Sequence, residues 1–261
     1  SDDLRTALDV DGTGVTVGVL SDSFDNLGGW AADVASGALP GPGNPDGYRV
    51  LNRANARMTI FEKEADYAAF EEVLEEAVER TQTRLLAYCV LPDHWHLLVW
   101  PREDGELSRF TGWLTLTHTH RWHAHRHSAG TGHVYQGRFK SFPVQEDEHF
   151  YTLCRYVERN ALRANLVRRA EDWRWGSLHR WKLGPAKAKA LLAAWPLPRR
   201  PGWVEHVNAE QTEAELAAVR RSVQRGNPLG DPSWCDEMVR RLGLESTLRP
   251  PGRPKRRNNG S

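Results

Sequence analysis

The chain has 261 residues, of which 39% are hydrophobic and 26% charged, with a net charge of +1; this composition excludes disordered, fibrous and collagen-like classes. No apolar run approaches the ~20 residues of a membrane span, and the opening SDDLRTALDV lacks the basic and apolar regions of a signal peptide. Cys89, Cys154 and Cys235 are widely spaced and odd in number, so neither a disulfide framework nor a thiolate zinc site is expected, and a reducing, cytoplasmic setting is.

Residues 1–46 sum to −7 and the rest of the chain to +8, which points to an anionic partner for the larger part. Within the acidic leader, GTGVTVGVLS (12–21) reads as a strand, and the Pro/Gly-dense GALPGPGNPDG (37–47) reads as a linker. A regular pattern follows. YRVLNR (48–53) is a strand, and residues 64–80 place Phe70, Val73, Leu74 and Ala77 on one face of a helix. RLLAYCVL and HWHLLVW are two strands joined by a tight turn at Pro92-Asp93. A second helix spans 106–127, a further strand 132–144, and a third helix 147–166 with Asp147 as its N-cap. This order predicts an α+β fold: a ferredoxin-like antiparallel sheet with helices on one face, followed by a helical C-terminal extension. Three segments are expected: the leader (1–46), a core domain (47–182) and the extension (183–261) ending in the basic LRPPGRPKRR. TEAELAAVRRSVQRGNPLGDPSWCDEMVRRLGL (212–244) reads as two helices around a Gly-Pro turn.

Side chains alternate faces along a strand, so His94 and His96 point the same way and Trp95 the other. Two imidazoles so placed can approach one divalent cation, although a pair of merely hydrogen-bonded histidines has the same spacing. On the third helix a polar stripe of His149, Thr152, Tyr156, Asn160 and Arg163 runs beside the apolar stripe Phe150, Leu153, Cys154, Val157. Packed on the sheet, this helix could set Tyr156 and Asn160 over the histidines, with Asn160 adding an oxygen ligand. A phenol is a weak nucleophile near neutral pH, its ordinary pKa being about 10. Mg²⁺ or Mn²⁺ could align and polarise a phosphodiester for it, giving a phosphotyrosine intermediate and strand transfer. Arg138 and Lys140 interleave with aromatic residues in YQGRFKSF, and Arg155, Arg159, Arg163, Arg168 and Arg169 cluster near Tyr156, a pattern suited to single-stranded nucleic acid. Gln136 and His133 are further candidate contacts. The histidine-dense THTHRWHAHRH (117–127) is a weaker metal candidate, because its i, i+2 pairs do not share a helix face.

YCVLPDHWHLLVWP, GHVYQGRFKSFPV and RYVERNALRANLV, in this order, resemble the REP-associated tyrosine transposases, members of the HUH single-strand DNA transposases. The resemblance spans about residues 47–257. It implies the ferredoxin-like fold, a divalent metal (Mg²⁺ or Mn²⁺) on His94 and His96, Tyr156 as nucleophile, and Asn160 as the residue completing the metal site. It further implies a single-stranded or hairpin DNA partner, cleaved and rejoined through a 5′-phosphotyrosine by a monomer or homodimer, with no membrane partner. The basic tail, with Arg253, Lys255 and Arg256, resembles the family's ending and suits phosphate contacts. The leader departs from the family. GTGVTVGVLSDSFDNLGGWAADVASGALPG resembles the opening of a subtilisin-like protease, with Asp22 at its aspartate, but the histidine and serine motifs of that family are missing, so no proteolytic role follows. The alternative to a strand transferase is a catalytically inactive protein that binds DNA hairpins.

Overall fold

The computed structural model describes residues 47–55, 58–103, 105–136, 139–185 and 190–248. The expectations for residues 1–46, including Asp22, and those for Arg138, Arg253, Lys255 and Arg256 lie outside the described residues.

Four antiparallel strands form the sheet: β1 (Gly47–Arg53), β2 (Arg84–Leu91), β3 (His94–Trp100) and β4 (Lys140–Val144), in the order β2-β3-β1-β4. With α1 (Glu64–Thr81) after β1 and α2 (Glu106–Arg126) after β3, this is the ferredoxin-like β-α-β-β-α-β arrangement. Both of these helices pack on one face, as expected. Phe70, Val73, Leu74 and Ala77 of α1 and Phe110 and Leu114 of α2 meet Val50, Tyr88, Trp95, Leu97 and Val99 of the strands. Each fully buried large apolar side chain contributes about 1.5–3 kcal/mol.

The opposite face is covered by α3 (Glu148–Glu158), whose Phe150, Leu153, Cys154 and Val157 meet Leu86, Cys89, Leu98 and Phe142. Asp147 caps α3 by accepting the His149 backbone N–H at 2.8 Å, as its position predicts. The expected helix over 147–166 is interrupted at Arg159: a short α4 (Asn160–Arg163) follows, and Asn165, at φ 57°, closes it in the left-handed conformation. The expected strand over 132–144 is shorter than its pattern. Among the described residues of that stretch, 140–144 pair along the sheet, and Tyr135 makes an isolated bridge to Ala54.

Strand β2 is an edge strand yet almost wholly buried, which accounts for its unbroken apolar run. Later segments cover it. The Val90 N–H donates to the Trp175 carbonyl at 2.9 Å and the Ala193 N–H to the Leu85 carbonyl at 2.8 Å. The indoles of Trp173 and Trp195 donate to the Val90 and Leu86 carbonyls. The Trp-rich DWRWGSLHRW thus removes the exposed edge that would otherwise invite pairing with another chain.

After a 3₁₀ turn (Ala170–Asp172) come α5 (Ser177–Leu183), α6 (Trp203–Asn208), α7 (Glu213–Arg225), α8 (Pro232–Leu242) and α9 (Glu245–Leu248). Thr212 and Glu215 form a reciprocal capping box at the start of α7. Trp203, Val204 and Val207 of α6, Leu216 and Val219 of α7, and Leu229 join the same apolar cluster as α3. The extension is therefore a second wall around that helix. No described helix is long and apolar enough to cross a membrane.

Candidate active site on the face covered by α3

His94 and His96 leave β3 on the α3 face, their ring centres 4.8 Å apart and nearly perpendicular. His96 is buried, 3% exposed. The Nδ1 of His94 lies 2.5 Å from the Asp93 carboxylate, a contact that holds the ring and directs Nε2 away from the turn, as carboxylates do behind metal-binding imidazoles. Asp93 was legible in the sequence only as a turn residue; its adjacency to the first histidine was the available signal.

Tyr156 projects from α3 toward the pair. Its ring centre is 6.1 Å from that of His96, and the side chain is buried. One turn on, Asn160 is buried as well. Its Oδ1 accepts from Arg163 Nη2 at 2.8 Å, and the Arg163 guanidinium carbon lies 4.0 Å from the centre of the Tyr156 ring. His94, His96, Tyr156, Asn160 and Arg163 therefore converge, as the two stripes predict. The amide oxygen expected to complete the metal site is the atom that accepts from Arg163.

Two other predicted contacts are used differently. Arg155 is 5% exposed, and its Nη2 donates to the carbonyls of Ala209 and Glu210, both at 2.8 Å, while Nη1 faces Glu215. Arg159 Nη1 donates to the Val207 and Asn208 carbonyls at 3.0 and 2.5 Å. The two guanidiniums cap the C-terminal end of α6, where orphan carbonyls and the helix dipole attract cations. Both residues, expected as DNA contacts, tie α3 to the extension. Gln136, His133 and Lys140 are exposed, as DNA contacts require. Arg168 is exposed, and Arg169 pairs with Glu171 at 2.9 Å.

Between α3 and the extension sits a buried carboxylate. Glu158 accepts from Ser177 Oγ at 2.8 Å and Trp203 Nε1 at 2.7 Å, and Arg199 lies 3.6 Å away, its guanidinium between the rings of Trp195 and Trp181. Burial raises the Glu158 carboxyl above the ordinary carboxylate range, an effect opposed by Arg199 and the two donors.

Behind the histidine strand, the Trp95 indole donates to the Tyr135 hydroxyl at 3.0 Å, and that hydroxyl lies 2.7 Å from His118 Nδ1. An indole N–H can only donate, which leaves the phenol proton for a neutral His118; burial pushes this imidazole down to about 3. The rest of the histidine tract does not converge. His123 contacts Ser128 and the Gly132 carbonyl, and His125 contacts Lys63. An open cavity of about 460 Å³ beside it is lined by His120, His123 and His133. Asp147, His149 and Asp231 bring ligand atoms within 4.8 Å of one another. That group sits at the start of α3, seven residues and roughly 10 Å along the helix from Tyr156.

No curated protein sequence matches. Among solved structures, the chain is similar to a REP-associated tyrosine transposase bound to a REP hairpin, at 16% identity over 59% of this chain and 86% of that one, with a TM-score of 0.43. It is also similar to a putative transposase from Deinococcus radiodurans R1, at 17% identity over 46% of this chain and 84% of that one, with a TM-score of 0.32. Residues 47–160, the segment holding the sheet, both histidines and Tyr156, match the family model described as "Transposase IS200 like".

Proposed function

We propose that this chain is a metal-dependent DNA strand transferase that cleaves and rejoins single-stranded DNA beside hairpins, with Tyr156 as the nucleophile. The observation that carries the reading is the convergence of a helix-borne phenol with two adjacent imidazoles on one covered face of the sheet. The match of residues 47–160 to a transposase family supports the reaction class; the preference for hairpins rests on the motif resemblance.

The residues fit a divalent cation. His94 and His96 present neighbouring rings, and the Asp93 carboxylate behind His94 supplies the outer support that such ligands need. His94 and His96 would hold Mg²⁺ or Mn²⁺, which would supply charge neutralisation and alignment of the phosphodiester. Tyr156 Oη attacks phosphorus and forms a P–O bond as the bond from phosphorus to the 3′ oxygen breaks. The phenol proton ends on the released 3′-hydroxyl, and the 5′-phosphate stays on the tyrosine. Attack by a 3′-hydroxyl on that phosphotyrosine reverses the exchange and rejoins a strand. Because the phosphoester is conserved in the intermediate, no external energy source is required. Gln136 and Lys140, both exposed, are assigned to the DNA strand.

The test is a denaturing gel of the full chain incubated with Mn²⁺ and a hairpin oligonucleotide carrying single-stranded flanks. A slower-migrating covalent species, lost on chelation and in Tyr156→Phe, is expected. Salt-sensitive binding without any covalent species would instead identify an inactive hairpin-binding protein.

A further inference from the structure

We infer that Arg163 binds the scissile phosphate at Tyr156, and that Asn160 is the residue that positions Arg163 rather than a ligand of the metal. The inference rests on the strand-transferase reading above and assigns roles within that site.

A guanidinium stacked on an aromatic ring keeps its N–H donors in its own plane, directed outward from the stack. The Arg163 guanidinium carbon lies over the Tyr156 ring, 4.0 Å from its centre. Its Nη2 is held by Asn160 Oδ1 at 2.8 Å, whereas Nη1 is buried with no hydrogen-bond partner. An unsatisfied buried donor costs about 1–3 kcal/mol, more when charged. A cationic donor left so beside a nucleophile marks the position of an acceptor that arrives with the substrate. A phosphate's non-bridging oxygen matches it in charge and geometry. These oxygens carry the charge of the phosphoryl-transfer transition state, so a donor fixed in advance acts where it is most useful.

The same contacts argue against Asn160 as a metal ligand. Its only good ligand atom is Oδ1, because an amide nitrogen carries protons and no available lone pair. That oxygen already accepts the Arg163 Nη2 donor at 2.8 Å, which fills one of its two lone-pair positions. Asn160 is 4% exposed, so its amide is enclosed by the packing at the end of α3.

The test uses the full chain with Mn²⁺ and the same hairpin oligonucleotide, and it measures the rate of covalent adduct formation. Arg163→Ala is expected to slow it about 100-fold or more. Arg163→Lys, which keeps the charge without the stacked fork, is expected to slow it roughly tenfold, and it keeps the test decisive should the alanine variant not fold. If Asn160 acts through Arg163, Asn160→Ala slows the reaction, and adding it to Arg163→Ala slows it no further. Mn²⁺ affinity, titrated without DNA, is expected to stay within about threefold of the starting protein in Asn160→Ala. A tenfold loss of Mn²⁺ affinity in that variant would restore Asn160 to the metal and overturn its positioning role. Wild-type adduct formation with Arg163→Ala and Arg163→Lys unimpaired overturns the phosphate contact alone. No adduct from the wild-type chain overturns the strand-transferase reading and this inference together.

Discussion

Replacing Tyr135 by phenylalanine removes a single oxygen from behind the histidine strand. That oxygen serves two buried partners, Trp95 Nε1 at 3.0 Å and His118 Nδ1 at 2.7 Å, with Trp95, Tyr135 and His118 all no more than 4% exposed. The ring stays and the apolar packing is preserved, so the loss is confined to hydrogen bonding. Each stranded group costs about 1–3 kcal/mol, for a total of about 2–6 kcal/mol, a large share of the 5–15 kcal/mol of a typical domain. Urea unfolding followed by tryptophan fluorescence should show a lower midpoint with an unchanged slope. The cost should shrink when Trp95→Phe is already present, because one of the two stranded groups, the indole donor, is then gone. A loss below about 0.5 kcal/mol, or a full loss in the Trp95→Phe background, would refute the reasoning.

Other consequences are open to measurement. Arg155→Ala should destabilise by about 2–4 kcal/mol, because it uncaps α6 and leaves the Ala209 and Glu210 carbonyls without their donor, while the salt dependence of DNA binding is unchanged; Lys140→Ala should do the reverse, lowering the slope of log affinity against log salt by about 0.7 for a single strand. A fall in that slope for Arg155→Ala would return this residue to the DNA. The buried His118, held at about 3, stays neutral in the fold below the pH at which the unfolded imidazole takes a proton. Acidification from about 6.5 toward 3 should therefore cost roughly 1.4 kcal/mol per pH unit from this group, and the urea midpoint of His118→Gln should fall less steeply over that range. Glu158 has the opposite sign. Its folded carboxyl keeps its proton to higher pH than the unfolded one, so its contribution is greatest below the ordinary carboxylate range and is lost as pH rises through the raised value. The stability advantage of the wild type over Glu158→Gln should shrink as pH rises from about 4.5, and a constant difference would show that Glu158 does not titrate in this window.

Much of the fold was legible because single elements carry their own periods. The i, i+3, i+4, i+7 pattern of α1 and the continuous apolar run of β2 mark a helix and a buried strand without reference to partners. The shared face of His94 and His96 follows from period two alone, and the Tyr156–Asn160–Arg163 stripe from helical spacing. What sequence could not supply was the neighbour on the other side. Arg155 and Arg159 look like any basic stripe until α6 places its carbonyls against them. Asn160 and Arg163 are both on the polar stripe, and only the fold shows that they bond to each other. Among the described residues, 132–136 do not continue the strand, and Tyr135 turns inward to Trp95 and His118, a long-range contact that local alternation does not encode. The Trp-rich stretch after α4 carried no motif, and its role is plain only beside the open edge of β2.

The central claim is most directly tested by locating the bond to DNA. The full chain is reacted with Mn²⁺ and a hairpin oligonucleotide, digested with nuclease and trypsin, and analysed by mass spectrometry. Of the six tyrosines, Tyr156 alone should retain a nucleotide, on the tryptic peptide Tyr156–Arg159. A nucleotide on Tyr151 or any other residue, with Tyr156–Arg159 unmodified, would contradict the account.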